Sequence, residues 1–250
     1  MPRPAPATSL KKLAIGSNAH WYQTICTELE IDWQMDDLSW SSAARMPPFH
    51  SNFVTLADCA HREDLLRSVA TLAGRLGRSG WSLKDSHDCL NLRSRGFAAI
   101  MRAAWIALLP TVDLVAAKGP TDAWSAVQSQ HQFTAWKSAW QHSPANSGTV
   151  PEQFPDSLLG HPELVFLMCQ RGFQIVAVAA LNVQGDVVGL SNVFAVDELD
   201  RSAWLGCVSE AKRLFPQSTI VGYESGTDLS HLLSIGFRDV GDLSIWAAGG

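Results

Sequence analysis

One self-similarity limits what this 250-residue chain can fold into more than any feature of its composition. The stretch Pro48-Phe49-His50-Ser51-Asn52-Phe53-Val54 aligns with Val188-Gly189-Leu190-Ser191-Asn192-Val193-Phe194 around a shared Ser-Asn pair. The match continues downstream: 44 residues separate Asn52 from the glycine of Gly96-Phe97, and 44 separate Asn192 from the glycine of Gly236-Phe237. Leu92 and Leu232 each stand four residues before those glycines, and Trp105 and Trp246 follow them. A repeated period of this kind is read before local propensities, because it predicts two copies of one supersecondary unit.

Between the landmarks each copy holds the same apolar stepping. Leu65, Leu66, Val69, Leu72 and Leu76 in the first copy match Trp204, Leu205, Val208, Ala211 and Phe215 in the second. That spacing keeps one helical face apolar over three turns and predicts an amphipathic helix lying on a sheet. Asp200 and Ser202 offer caps for the second helix, and Glu63 and Asp64 favour the first turn of the other. A short β-like run follows each helix, at residues 80–83 and 219–223, then a second helix ending at Gly-Phe, then a final apolar run. Each copy thus reads strand, helix, strand, helix, strand.

The second copy has a fuller preamble. Residues 163–168 and 173–183 read as strands, the latter almost continuously apolar and so central in a sheet, with Gln184-Gly185-Asp186 as the turn into the next strand. Phe133, Trp136 and Trp140 are spaced for one face of a helix and, without basic neighbours, predict core packing rather than base stacking. The expected division is a flexible tail over 1–12, an N-terminal lobe over 13–118 and a C-terminal lobe over 119–250. Ala116-Ala117-Lys118-Gly119-Pro120 marks the boundary, and residues 141–150 form a loop within the second lobe.

Charge and cysteine usage narrow the function classes. Nineteen Lys and Arg against 24 Asp and Glu give a net charge of -5, so broad nucleic-acid binding is not expected, because phosphate neutralisation needs a basic surplus. The five cysteines are scattered and form no C-x-x-C pair, which points to neither a disulfide framework nor a zinc site. His87-Asp88-Cys89 gathers three ligand types, but consecutive residues do not converge on one ion, and no metal is expected. Residues 1–12 lack the apolar core of a signal peptide, and no apolar run is long enough to span a bilayer, so a cytoplasmic location with no membrane partner is expected.

The order of elements, the Gly-Phe after the last helix, and the segments Val188 to Phe194, Val221-Gly222-Tyr223-Glu224 and Leu243-Ser244-Ile245-Trp246 resemble the GNAT superfamily of acyltransferases. The resemblance covers residues 130–250 well and 45–110 as a weaker echo. It implies an α/β fold of two GNAT-like lobes, each a mixed sheet flanked by helices. It also implies an N-acetyltransferase that moves an acyl group from acetyl-CoA to a small-molecule or peptide amine.

In that family a glycine-containing loop lets backbone amides approach the pyrophosphate at a helix N-terminus. Here Val196-Asp197-Glu198-Leu199-Asp200-Arg201-Ser202-Ala203 stands in its place, with no glycine and three carboxylates. The tyrosine that the family uses as an acid is replaced by Leu232, and by Leu92 in the other copy. Nearby substitutes for the catalytic roles are Glu224 and Tyr223 on the strand before the last helix and His231 beside Leu232, and the resemblance places acyl-CoA along Asn192, Val193, Phe194 and Ala195 and at the helix opening with Arg201 and Ser202. Two other readings stay open at this point. One is a catalytically inactive binding or structural module that has lost the phosphate loop; the other is a two-lobed aminoacyl-transferase, which would need a basic groove.

Overall fold

The computed structural model describes residues 6–114, 123–142, 153–196 and 200–249. In chain order its elements are α1 (Ala7–Glu28), β1 (Gln34–Met35), β2 (Ser39–Ser41), β3 (Phe53–Thr55), α2 (Arg62–Leu76), β4 (Ser82–Asp85), β5 (Phe97–Leu108) and β6 (Ala123–Ala126). They continue with α3 (Gln130–Gln141), β7 (Leu164–Arg171), β8 (Gln174–Gln184), β9 (Val187–Ala195), α4 (Arg201–Leu214), β10 (Thr219–Glu224), α5 (Gly226–Ile235) and β11 (Arg238–Ala248). The two apolar steppings are helices as expected. The aromatic triad lies on one helix, α3, and the C-terminal preamble forms the strands β7 and β8, again as expected.

The chain forms two compact units, but they do not divide at residue 118. A larger unit combines Met1–Asn18 with Trp105–Val240, and a smaller one combines Ala19–Ala104 with Gly241–Gly250. The reason lies in the last strand of each half. β5 ends within the larger unit, where it neighbours β10, and β11 ends within the smaller unit, where Ser244–Ala247 pair antiparallel with Ser82–Asp85 of β4. The expected tail is also different, since the helix already begins at Ala7. The boundary segment 116–120 and most of the 141–150 loop lie outside the described residues.

In the larger unit the strand order is β5-β10-β9-β8-β7-β6. β6 to β9 pair antiparallel in sequence, and β9 pairs parallel with β10. Alternation along the strands gives the sheet two faces. Leu167, Ala179, Leu181, Val188 and Ile220 pack under Trp204, Leu205, Val208 and Ala211 of α4 and Leu232 and Ile235 of α5. On the other face Phe133 and Trp136 of α3 pack on Phe166, the first tilted and the second edge-on, with ring centroids 4.6 and 4.8 Å away. The Trp136 indole N–H donates to the carbonyls of Leu167 and Ala179 at 2.9 and 3.2 Å. The aromatic run is therefore core, each ring worth about 1.5–3 kcal/mol on burial. The first part of α1 meets this same face, where Asn182 donates to the Ser17 carbonyl at 3.0 Å.

In the smaller unit the order is β1-β2-β3-β4-β11, with β3 and β4 parallel. Leu65, Leu66, Val69 and Leu72 of α2 cover Phe53, Leu83 and Trp246. The later part of α1 supplies Tyr22, whose ring meets Trp40 edge-on at 5.2 Å and has the Lys84 ammonium 5.1 Å from its centroid. One expected element is absent: the second helix of the first copy is a single 3-10 turn over Arg93–Arg95, ended by Gly96 at φ 83°. Asp85 explains this, because its carboxylate accepts from the amides of Leu90 at 2.6 Å and His87 at 3.3 Å and so draws the backbone into a loop.

Candidate functional site

The site begins where β9 and β10 separate. Their parallel ladder runs Thr219↔Val187, Ile220↔Val188, Val221↔Gly189 and stops there. Gly222 sits at the fork, where a Cβ would stand 2.8 Å from the Leu190 carbonyl, so only glycine lets the strands come this close before they part. Beyond the fork β9 bulges. Ala180 pairs with Ser191 and Val178 with Phe194, which sets Asn192 and Val193 together opposite Ala179. Asn192 takes a left-handed φ of 51° to make this turn. Ser191–Ala195 on one arm and Gly222, Tyr223 and Glu224 on the other are half-buried along the fork. The Asn192 side-chain amide donates to the Ser191 hydroxyl at 3.1 Å. In the smaller unit the matching Asn52 does bond backbone, donating to the carbonyls of Ser42 and Ala44.

Tyr223 and Glu224 are neighbours in a strand and so point to opposite faces. Tyr223 lies edge-on to the buried Trp105, ring centroids 5.4 Å apart. Glu224 turns toward α5, where burial, and then the Asp228 carboxylate, push its pKa up to about 8. Asp228 in the first turn of α5 is itself fixed, accepting from the Trp204 indole N–H at 2.8 Å. His231 lies one turn further along α5, and its carbonyl accepts from Ser234. The structure thus assembles Glu224, Asp228 and Trp204, and sets Tyr223 on the other face with Trp105. Sequence reasoning missed Asp228, Trp204 and Trp105. The available signal was an acid four residues after Glu224, placed where a helix N-terminus would attract it.

The start of α4 is the other half of the site. Asp200 caps the helix, its carboxylate accepting from the Ala203 amide at 2.8 Å. A carboxylate already occupies the positive helix end that a phosphate would use. The Arg201 guanidinium reaches away to the Ser234 hydroxyl at 3.0 Å, and Ser202 is half-buried in the first turn. Residues 197–199 lie outside the described residues. Elsewhere His87, Asp88 and Cys89 turn apart: Asp88 accepts from the Ser244 hydroxyl, while the Cys89 thiol faces Asp85. Among the described residues no three His, Cys, Asp or Glu side chains are grouped to hold a metal, and no helix is long and apolar enough to cross a membrane.

No family model and no curated protein sequence matches the chain. Solved structures do. A GCN5-related N-acetyltransferase from Kribbella flavida matches at 12% identity over 91% of this chain and 95% of its own, with a TM-score of 0.60. A Drosophila protein matches at 14% identity over 99% and 98%, TM-score 0.58. An acetyltransferase of the GNAT family from Novosphingobium aromaticivorans matches at 11% over 90% and 94%, TM-score 0.51. Identities this low speak for fold and not for substrate. Taken with the forked parallel strands, the bulged arm and the helices on both faces, they show that this chain shares the α/β fold of those solved structures over about nine-tenths of its length.

Proposed function

We propose that the chain is an N-acyltransferase that takes its acyl group from a coenzyme A thioester and delivers it to an amine. The observation that carries this reading is the fork between β9 and β10, which sets a bulged backbone arm opposite a carboxyl group of raised proton affinity. The donor supplies an activated acyl carbon. The arm over Asn192, Val193, Phe194 and Ala195 runs on beyond the last β9–β10 register pair, Val221↔Gly189, and offers its backbone to an amide-bearing thioester chain. Glu224, its pKa pushed up to about 8 by burial and the Asp228 charge, is the base that takes the proton the attacking ammonium must lose. Asp228 and Trp204 hold the electrostatics around it. Tyr223 shapes the opposite side of the fork, and His231 lies further along α5 toward solvent. The acceptor is a small-molecule or peptide amine.

The phosphate end fits less well, because Asp200 caps α4 where a pyrophosphate would lie. That observation favours a second reading, a binding module that has kept the fork and given up catalysis. Isothermal titration with acetyl-CoA and with CoA separates the two. Micromolar binding, tightened several-fold by Asp200→Ala and weakened by Arg201→Glu, supports the acyltransferase and justifies a screen of amines. No heat at millimolar ligand with either the native chain or Asp200→Ala sinks it and leaves the binding module.

A further inference from the structure

The smaller unit carries a cavity of about 270 Å³, lined in part by Asp32, Trp33, Gln34, Ser41, Ser42 and Arg75. Three parts of the fold meet there: the loop between α1 and β1, the end of β2 and the last turn of α2. Hydrogen bonds fix its floor. The Ser42 hydroxyl donates to the Asp32 carbonyl at 2.7 Å and accepts from the Ala44 amide at 3.1 Å. The buried Asn52 side chain donates to the carbonyls of Ser42 and Ala44 at 3.0 and 2.8 Å. Trp33 is 39% exposed, and its indole N–H donates to the Thr27 hydroxyl at 3.3 Å, which holds the ring in place. Gln34 donates through its side-chain amide to the Ser41 hydroxyl at 3.2 Å and keeps its side-chain carbonyl as an acceptor. Asp32 and Arg75 are exposed, and among the described residues neither side chain has an ion-pair or hydrogen-bond partner.

We propose that this cavity is a binding site for a free α-amino acid with an aromatic or long apolar side chain, a function separate from acyl transfer. The charges decide the class. One unpaired cation and one unpaired anion line the same small volume, so a ligand carrying both signs leaves neither unmatched. A phosphate or a simple carboxylate would meet the repulsion of Asp32 along with the attraction of Arg75, and a simple amine the reverse. An α-amino acid bears a carboxylate and an ammonium on one carbon. Its carboxylate takes N–H bonds from the Arg75 fork, and its ammonium donates to Asp32 and to Gln34 Oε1. Size sets the upper limit. Pockets for drug-sized ligands run to roughly 300–1,000 Å³, so this smaller one takes a single amino acid and not a nucleotide. Trp33 selects the side chain, because its indole face gains most from an aromatic or apolar group. With the floor fixed in advance, binding orders little of the protein besides the Arg75 side chain.

Ligand-observed NMR on the full chain tests this with three probes: L-phenylalanine, its amide, which lacks the carboxylate, and 3-phenylpropionate, which lacks the ammonium. L-Phenylalanine binds at millimolar concentration or below, and each analogue binds about tenfold more weakly. Arg75→Met weakens L-phenylalanine by about the same factor and leaves the affinity of the amide unchanged. Asp32→Asn weakens L-phenylalanine in the same way and leaves that of 3-phenylpropionate unchanged. Trp33→Ala weakens all three. The three substituted positions are exposed, so the variants keep the native Tm. The comparison of probes on the native chain stands whether or not a variant folds. No binding of L-phenylalanine to the native chain, an analogue that binds as tightly as the amino acid, or binding that survives both charge substitutions overturns the proposal.

Discussion

Lys84 is fully buried and Glu224 half-buried, and the two make stability respond to pH in opposite directions. Burial raises the Glu224 pKa from 4.5 to about 8, so the folded chain holds its proton more tightly than the unfolded chain does. The stability this represents is complete below pH 4.5 and is lost as pH rises through about 8. Burial lowers the Lys84 pKa from 10.5 to about 7. The folded chain then binds fewer protons than the unfolded chain between these values, so stability is highest above pH 10.5 and is lost as pH falls through about 7. Thermal melts at pH 5, 7 and 9 separate the two. Glu224→Gln gains Tm relative to the native chain at pH 9 and little at pH 5, while the relative gain of Lys84→Met is largest at the acid end and shrinks toward pH 9. If Glu224 is the base, activity of the native chain rises with pH toward about 8 and Glu224→Gln flattens that rise. Glu224 was legible as a lone carboxylate ending an apolar strand. Asp228 was not, because its influence depends on how the first turn of α5 folds back beside β10.

At the scale of elements, packing decides what periodicity leaves open. Gly189 lies in β9 against α1, and a Cβ there would stand 2.1 Å from Asn182 Oδ1 and 2.4 Å from Ser17 Oγ. Gly189→Ala is expected to cost about 1–3 kcal/mol by forcing this buried polar contact apart. A lower urea midpoint at unchanged slope checks it. The helices α2, α3 and α4 were readable because each buries one stripe. α1 was not, because it buries Leu10, Ala14 and Ile15 in its first part and Trp21, Tyr22, Ile25 and Cys26 in its second, with no single stripe. The repeat itself holds in sequence more strictly than in space. The interval that equates Asn52 with Asn192 also equates Lys84 with Glu224, yet Lys84 faces α1 and Glu224 faces α5. A one-residue slip along a strand turns every side chain to the other face, and spacing in the sequence does not reveal such a slip.

At the scale of the molecule, the two halves of the sequence are not the two units of the structure. A break at residue 118 leaves the first fragment without the β11 residues that pair with β4, and the second without Trp105, Ile106 and Leu108, which are buried beside β10. Each fragment alone should show weak, non-cooperative melting by circular dichroism. Co-expression should restore a soluble pair with a single cooperative transition. Two fragments that each melt cooperatively alone would mean the exchanged strand ends add little. A boundary drawn from Pro, Gly and Lys marks a connection and not which strand finishes which sheet.

The same exchange bears on how the chain comes off the ribosome. Synthesis at about 5–20 residues per second normally lets an N-terminal domain fold while the rest is still being made. Here the smaller unit, although it holds most of the first hundred residues, waits for Gly241–Gly250 to complete it. Those residues are made more than 150 positions after β4. The open edge of β4 therefore stays uncovered until they emerge, and this is the interval in which nascent chains of this protein are most open to pairing with one another and most in need of a chaperone.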